Sequence, residues 1–500
     1  MKQSAHRQLS LIILVILATF NLGSGSFSRA SRSPSASHPV GRNPQSAIKW
    51  VHLSSKDGKL PTPGESTQQT GSLVADFDKD GVNDFVLSFR KIAPALVWYR
   101  RGASDWSRYV IEKEFLTVEA GGAAFDIDGD GDQDIVFGGD SQSNQVWWWE
   151  NPSPNFDPQV SWKRRLIKND GKRQHHDQAF GDFKGAGRAQ LAFWNQGAKT
   201  IFLADIPKDP RNAEPWRSTP IFSGEAGEVG DKGAFKYPEG MAVADVDADG
   251  KVDLLAGNFW LKHEGGDKFR PIRIGTIGGR IAAGKLIKSS RYLQVVIAPG
   301  DGVGPLRWYE CKGDPAKSED WVGHDLAGRD LIHGHSLALG DINGDGYPDI
   351  FAAEMAKWTE RKPESDNAAA TAWIFYGDGK GNFRKTELVV GHGFHEARVA
   401  DLDGDGDPDI LNKPYNWEAP RVDVWLNNGA GARKHGYEVH PHGNGTLFDL
   451  LAAELKPEFV SFELDVFWAF HGGQDPVATT LFTGAGVRFL PRPQPTNPSP

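Results

Sequence analysis

Cysteine is all but missing: Cys311 is the only one in 500 residues. An internal disulfide framework is therefore excluded, and so is lipid attachment through an N-terminal cysteine. A basic surplus is missing too. The net charge of −9 argues against nucleic acid as a partner. Long apolar runs are also lacking. The main one, residues 9–20, follows Lys2, His6 and Arg7 and precedes the small residues 23–26. It is too short for a comfortable membrane span and reads as an export signal over 1–26. After cleavage no membrane span is expected, and the location is secreted or periplasmic. Residues 27–46 are Ser, Pro, Arg and Ala without an apolar period, as in a flexible linker. What the chain has in quantity is glycine (58) and tryptophan (17), which suit a turn-rich β protein.

The stretch that organises the rest is Asp401-Leu-Asp-Gly-Asp-Gly-Asp-Pro-Asp409. Carboxylates stand at positions 1, 3, 5 and 9 of a tight loop, with glycine at position 6. Calcium takes six to eight oxygens, and such a loop supplies most of them. No glutamate stands at position 12 and no helical pattern flanks the loop, so an EF-hand is excluded. The pattern recurs at Asp76, Asp78, Asp80 and Asp84; at Asp126, Asp128, Asp130 and Asp134; at Asp245, Asp247, Asp249 and Asp253; and at Asp341, Asn343, Asp345 and Asp349. Asp401, Asp403, Asp405 and Asp409 complete the set. An acidic turn held by Asx hydrogen bonds alone explains one such loop. Five in one register point to Ca2+.

The loops recur at roughly forty to sixty residues, a spacing found in propellers and other arrays. Each sits between two short apolar strands. An aromatic third strand follows, such as Val146-Trp-Trp-Trp149, and then a fourth that opens on an aromatic and carries basic residues, such as Trp162-Lys-Arg-Arg-Leu-Ile167. Four strands make a propeller blade. Two more blades have lost the acidic loop, around 181–187 and 285–290, which brings the count to seven. The last blade runs out near Gly429 with three strands, and Ile48-Lys-Trp-Val-His-Leu53 resembles the missing outer one. A first strand that completes the last blade closes the ring and removes its free edge. The fold expected is all-β, a seven-bladed propeller over 47–430 with calcium loops, followed by a short α/β fragment.

These repeats resemble the FG-GAP/VCBS family of extracellular calcium-loop propellers over about three quarters of the chain. The family includes adhesins, lectin-like modules and enzyme domains, so the resemblance implies fold and calcium rather than activity.

Six residues before each loop's first position stand Thr70, Ala120, His176, Glu239, Gly279, His335 and His395. The loop ends the inner strand. At about 3.3 Å per residue, these seven residues therefore ring the opposite mouth of the channel, roughly 20 Å away. Imidazoles and a carboxylate that converge on an axis suit Zn2+ or another divalent transition metal. Glu119, His175, Asp177, His333, His392 and Glu396 stand beside them. The second strands return to this face with Arg90, Lys91, Trp194, Asn195, Asn258, Trp260, Glu354, Lys357, Trp358, Asn412, Lys413, Tyr415 and Trp417. Of these, Trp194, Asn258, Trp260, Lys357, Trp358, Tyr415 and Trp417 are the candidate substrate contacts, because aromatic faces beside polar groups suit a carbohydrate or small polar ligand. The alternative is that the histidines only tie blade to blade.

The His-bearing inner strands with acidic loops are similar to those of aldos-2-ulose dehydratase propellers. That likeness implies a metal at the channel mouth and dehydratase or lyase chemistry on an oxidised sugar, with His176, Glu239, His335 and His395 as the metal or acid–base residues. The competing reading is a non-catalytic propeller that binds a glycan or a protein partner.

After residue 431 the pattern changes. Glu463-Leu-Asp-Val-Phe-Trp468, Gly473-Gln-Asp-Pro476 and His440-Pro-His442 resemble the sugar phosphate isomerase/epimerase family of xylose isomerase-like barrels, which implies Asp465 as a metal ligand. The stretch 435–490 is far short of the roughly 250 residues a barrel needs. It reads as a truncated fragment without a complete isomerase site, followed by a disordered tail over 491–500.

Overall fold

A computed structural model describes residues 48–224, 239–357 and 364–429. The signal segment 1–26, the linker 27–46, the isomerase-like fragment 435–490, the tail 491–500 and Trp358 lie outside the described residues.

The described chain forms seven four-stranded antiparallel sheets. Blade 1 spans 69–112, blade 2 123–168, blade 3 175–223, blade 4 241–273, blade 5 280–332 and blade 6 336–390. Blade 7 takes three strands from 398–427 and its outer strand from Trp50–Ser54. Trp50 pairs with Asn427 and Ser54 with Asp423, so the first strand closes the ring as the sequence implies. Each blade is a sheet of its own, so its outer strand remains as a short edge on the circumference. Among the described residues no helix is long and apolar enough to cross a membrane.

Tryptophans hold the blades together. Blades diverge from the axis, so the wedge between neighbours widens outward and needs large side chains. Trp98, Trp148, Trp149, Trp194, Trp260 and Trp373 are fully buried there. Each neighbouring pair of blades shares one apolar cluster; blades 4 and 5, for example, join through Leu255, Trp260, Val295, Ile297 and Tyr309. Burying a large apolar side chain is worth about 1.5–3 kcal/mol.

The blades are alike at the loop end and unlike at the other. Blade 5 departs most. Its outer pair, Val303–Cys311 with Trp321–Ile332, is longer than the sequence pattern suggests. Its lower part pairs Val303 with Ile332 after a register shift between Pro305 and Arg307. The added length carries Asp301 and His333 to the channel mouth, where His333 Nδ1 meets the Asp301 carbonyl at 2.7 Å.

Candidate functional site

The acidic loops share one backbone path. Asp at position 1 accepts the amides of positions 5 and 6 in three blades, with Asp76 bound by Asp80 and Gly81, Asp245 by Asp249 and Gly250, and Asp341 by Asp345 and Gly346. Asp126 and Asp401 take positions 4 and 6. Position 6 has φ of 91° in Gly81 and 90° in Gly406, a left-handed bend that favours glycine. In blade 3, Asp182 still accepts from Ala186 and Gly187, so the bend survives where the other carboxylates are gone.

The carboxylate at position 9 plays a different part. Asp134 accepts from the Ile127 and Asn151 amides at 3.0 and 2.8 Å. Asp409 does the same with Leu402 and Asn427, both at 2.7 Å. Each thus ties the loop to the third strand. Burial raises these carboxyls: Asp134 and Asp409 to about 8, Asp84 and Asp349 to about 7, and Asp253 to about 6.

The donor sets fit a hard cation. Oxygens of Asp76, Asp78 and Asp80 lie within 4.8 Å of one another, as do those of Asp126, Asp128 and Asp130 and those of Asp245, Asp247 and Asp253. Asp128 Oδ1 is buried without a hydrogen-bond partner, while Oδ2 lies 2.6 Å from Arg211 Nη2. Three loops also face a basic side chain at position 3. Arg100 pairs with Asp78, Lys262 with Asp247, and Arg211 with Asp128 and Asp130 at 2.6 and 2.8 Å. Arg100 and Lys262 occupy the same place on their third strands, just past Tyr99 and Leu261, which pair with Phe85 and Leu254. Blades 6 and 7 carry Tyr376 and Leu426 at that place.

At the other mouth the register row closes on the axis. His335 Nε2 lies 2.8 Å from Glu239 Oε2, and His176 Nε2 lies 3.6 Å from the same oxygen. The rings of His176 and His335 are 5.8 Å apart, and His395 stacks on His335 at 4.4 Å. His176, Glu239 and His335 each offer a ligand atom, all within 4.8 Å. The remaining row positions, Thr70, Ala120 and Gly279, are small and leave room above them.

The charges of this cluster follow from its partners. Burial opposes protonation of His176, but Asp177, with Glu239 and Glu119, lifts it to about 10. Burial also opposes protonation of His335, yet Glu239, Asp301 and Glu396 raise it. His395 goes the other way: burial and the Lys413 ammonium, whose Nζ lies 2.7 Å from Nδ1, hold it well below 6.5 and neutral. Burial in turn depresses Lys413 well below the usual lysine value. Lys413 Nζ also donates to the carbonyls of Gln69, Thr70 and His395.

Above the cluster opens a cavity of about 590 Å³, a volume that suits a small organic ligand. His176, Glu239, His335 and His395 line its floor, while Arg90, Lys91, Lys357 and Tyr415 line its wall. Arg90 donates to Gln68, to Glu119 and to the Tyr415 hydroxyl. Gln174 reaches the other Glu119 oxygen at 3.3 Å.

Several expected contacts lie elsewhere. Trp194 and Trp260 are fully buried between blades, and Trp194 Nε1 donates to the Gly240 carbonyl. Asn258 is buried and donates to the Gly275 carbonyl. None of these three lines the cavity: the tryptophans face the wedges between blades, and Asn258 is turned to the Gly275 carbonyl. Trp417 is half-buried and also outside the lining. His392 packs edge-on against Trp425, beside His52, away from the axis. His175 turns to Asn195 at 3.1 Å, and burial depresses it to about 3. Sequence reasoning missed Gln68, Gln142, Gln174, Asp140, Asp301 and the half-exposed Phe115, all of which line the cavity. Gln68, Phe115 and Gln174 come from connections between blades, and Asp140, Gln142 and Asp301 from the loops between the second and third strands of blades 2 and 5, where no repeat marks the register.

Residues 341–411 match the FG-GAP-like repeat family; the match begins at the acidic loop of blade 6, takes in the second, third and fourth strands of that blade and runs to the second strand of blade 7. No curated protein matches the chain. Among solved structures, an exotype rhamnogalacturonan lyase is similar at 14% identity, with 72% of each chain covered and a TM-score of 0.39. A Bacillus licheniformis rhamnogalacturonan lyase shows 14% identity over 77% of this chain and 76% of its own, with a TM-score of 0.38. YCF48 from Cyanidioschyzon merolae shows 14% identity over 76% of this chain and 98% of its own, with a TM-score of 0.42. The chain is a seven-bladed β-propeller in which residues 341–411 match an FG-GAP-like repeat.

Proposed function

We propose that this is an exported propeller, stabilised by Ca2+ in its acidic loops, that binds a carbohydrate or similar polar ligand at the channel mouth and converts it by dehydratase- or lyase-like chemistry. The observation that carries this reading is the meeting of His176, Glu239 and His335 on the floor of a polar cavity. Two imidazoles and a carboxylate are the donor set of a catalytic zinc-type site, in which a further position stays open to ligand. A metal bound there supplies Lewis acidity toward a carbonyl.

The protein's own groups do the rest. Arg90, Gln68, Glu119 and Gln174 form a fixed wall of alternating donors and acceptors that suits a hydroxyl-rich ligand. Tyr415 and Phe115 add aromatic surface to the lining. His395, neutral and lining the floor, is the side chain available to exchange a proton with a bound ligand. Lys357, 3.9 Å from Asp301, supplies positive charge at the rim.

Metal analysis of the purified protein tests the reading, together with turnover of oxidised sugars by wild type and His335→Ala. The expected result is one transition-metal ion per chain, with metal and turnover both lost in the variant while calcium-dependent stability stays. A metal-free wild type that still binds sugars would replace this reading with a glycan-binding module.

A further inference from the structure

The register row has a second layer beneath it. One residue further along, blades 3, 5 and 7 carry Asp177, Arg280 and Glu396, all buried, where the other blades carry glycine or serine. We propose that Arg280, acting through Asp177 and Glu396, is the positioning residue that sets the aim of His176 and His335 at the channel mouth. The inference rests on the reading of that mouth as a metal centre.

One guanidinium reaches both carboxylates. Arg280 Nη1 lies 2.7 Å from Asp177 Oδ1 and 2.9 Å from Glu396 Oε1, and Nη2 donates to Glu396 Oε2 at 3.3 Å. Each carboxylate then faces one imidazole from behind. His176 Nδ1–H donates to Asp177 Oδ2 at 2.6 Å, which leaves Nε2 turned to Glu239. His335 Nδ1 faces Glu396 Oε1 at 3.6 Å and makes no hydrogen bond of its own, while its Nε2 meets Glu239. The two imidazoles therefore present the same nitrogen to the same carboxylate. A carboxylate behind a ligating histidine fixes its orientation and makes it a better donor.

The surroundings are shaped for this layer. Asp177 has φ of 41° and Glu396 of 53°, a left-handed backbone that side-chain-bearing residues adopt only when held there. The Gly240 amide donates to Asp177 Oδ2 at 2.7 Å. A Cβ on Gly121 would stand 2.5 Å from Asp177 Cα, and one on Gly240 would stand 2.0 Å from the Gly279 carbonyl. A side chain at Gly121 would push Asp177 off its place, and one at Gly240 would push the backbone that carries Arg280. Arg398 holds the far oxygen of Glu396 at 3.0 Å.

A merely structural arginine would change stability when altered and leave metal affinity alone. The test uses the full chain loaded with calcium. Zinc affinity is read by competition with a chromophoric chelator, and the visible spectrum of bound cobalt reports ligand geometry. Arg280→Lys keeps the charge and loses the fork; Asp177→Asn keeps the shape and loses the charge. Both are expected to weaken zinc by about 10–100-fold and to shift the cobalt bands, with the melting temperature close to wild type. Wild-type affinity and spectra in both variants would overturn the proposal and leave the metal centre standing. A wild type that takes up neither zinc nor cobalt would overturn both. If Arg280→Lys does not fold, Glu396→Gln decides: a similar loss of zinc affinity supports the proposal, and unchanged affinity overturns it.

Discussion

At one end of the inner strands five loops repeat one acidic pattern; at the other, the same strands begin with seven residues in one register that share almost nothing. The loop end is built on repetition, and each copy serves its own blade. The mouth is built on difference: Thr70, Ala120 and Gly279 make space, while His176, Glu239, His335 and His395 fill the axis with chemistry. Closing a ring of near-identical blades brings unlike residues to one point, so a single site is assembled from several repeats. Stability should therefore respond to the loops and ligand chemistry to the mouth, and the two should separate under mutation.

The largest expected effect is calcium removal. A ligand that binds only the folded chain stabilises it by about 2.7 kcal/mol per site at a hundredfold excess over Kd, and five loops share that gain. Chelation should lower the melting temperature sharply and leave zinc binding at the mouth measurable in the chain that remains folded. The pH dependence sharpens this. Asp84, Asp134, Asp349 and Asp409 have folded values raised to about 7–8 by burial. The folded metal-free chain thus keeps protons that the unfolded chain releases near pH 4, and its stability falls as pH rises from about 4 to about 8. Bound calcium would supply the positive charge instead. Melting curves in chelator should decline across that window, and curves in calcium should be flatter. A chelated protein that gains stability over the same range contradicts this.

Next in size is Trp260→Ala. Trp260 fills the wedge between blades 4 and 5, and truncating a buried tryptophan costs about 3–5 kcal/mol. Denaturant titration should show that loss while zinc affinity at the mouth stays at its wild-type value. A selective loss of sugar binding without loss of stability would return Trp260 to the ligand site.

The smallest effect concerns one loop. Lys262 sits on Asp247 in blade 4, where it competes with any cation. A half-exposed ion pair is worth about 0.2–1 kcal/mol, so Lys262→Met should tighten calcium at that loop by about 1.5- to 5-fold. Calorimetric titration would resolve it, and weaker calcium binding in the variant would mean that the lysine does not compete.

Much of this was legible because repetition fixes register. Ring closure by Trp50–Ser54 followed from a missing outer strand, and His176, Glu239 and His335 followed from one offset counted back from the loops. Trp194 and Trp260 were misplaced for a related reason. Neighbouring residues along a strand face opposite wedges, as Trp148 and Trp149 do, and on the second and third strands only residues past an end reach the mouth; Trp194 and Trp260 lie one place inside such an end. Asp177 and Glu396 were legible as neighbours of the row, but Arg280 was not, because the same place holds glycine in blades 1, 2 and 4. Asp301 and Phe115 lie in connections that no repeat constrains, and only the folded chain shows that they reach the cavity.

The central claim is that the mouth holds one metal ion, and anomalous diffraction tests it most directly. Crystals of the calcium-loaded protein soaked in a low concentration of Zn2+ would be measured on both sides of the zinc edge. The account predicts one strong zinc peak on the axis, about 2.0–2.1 Å from the Nε2 atoms of His176 and His335 and bounded by Glu239. Zinc found only on the surface, with Glu239 still hydrogen-bonded to His335 at the mouth, would contradict it.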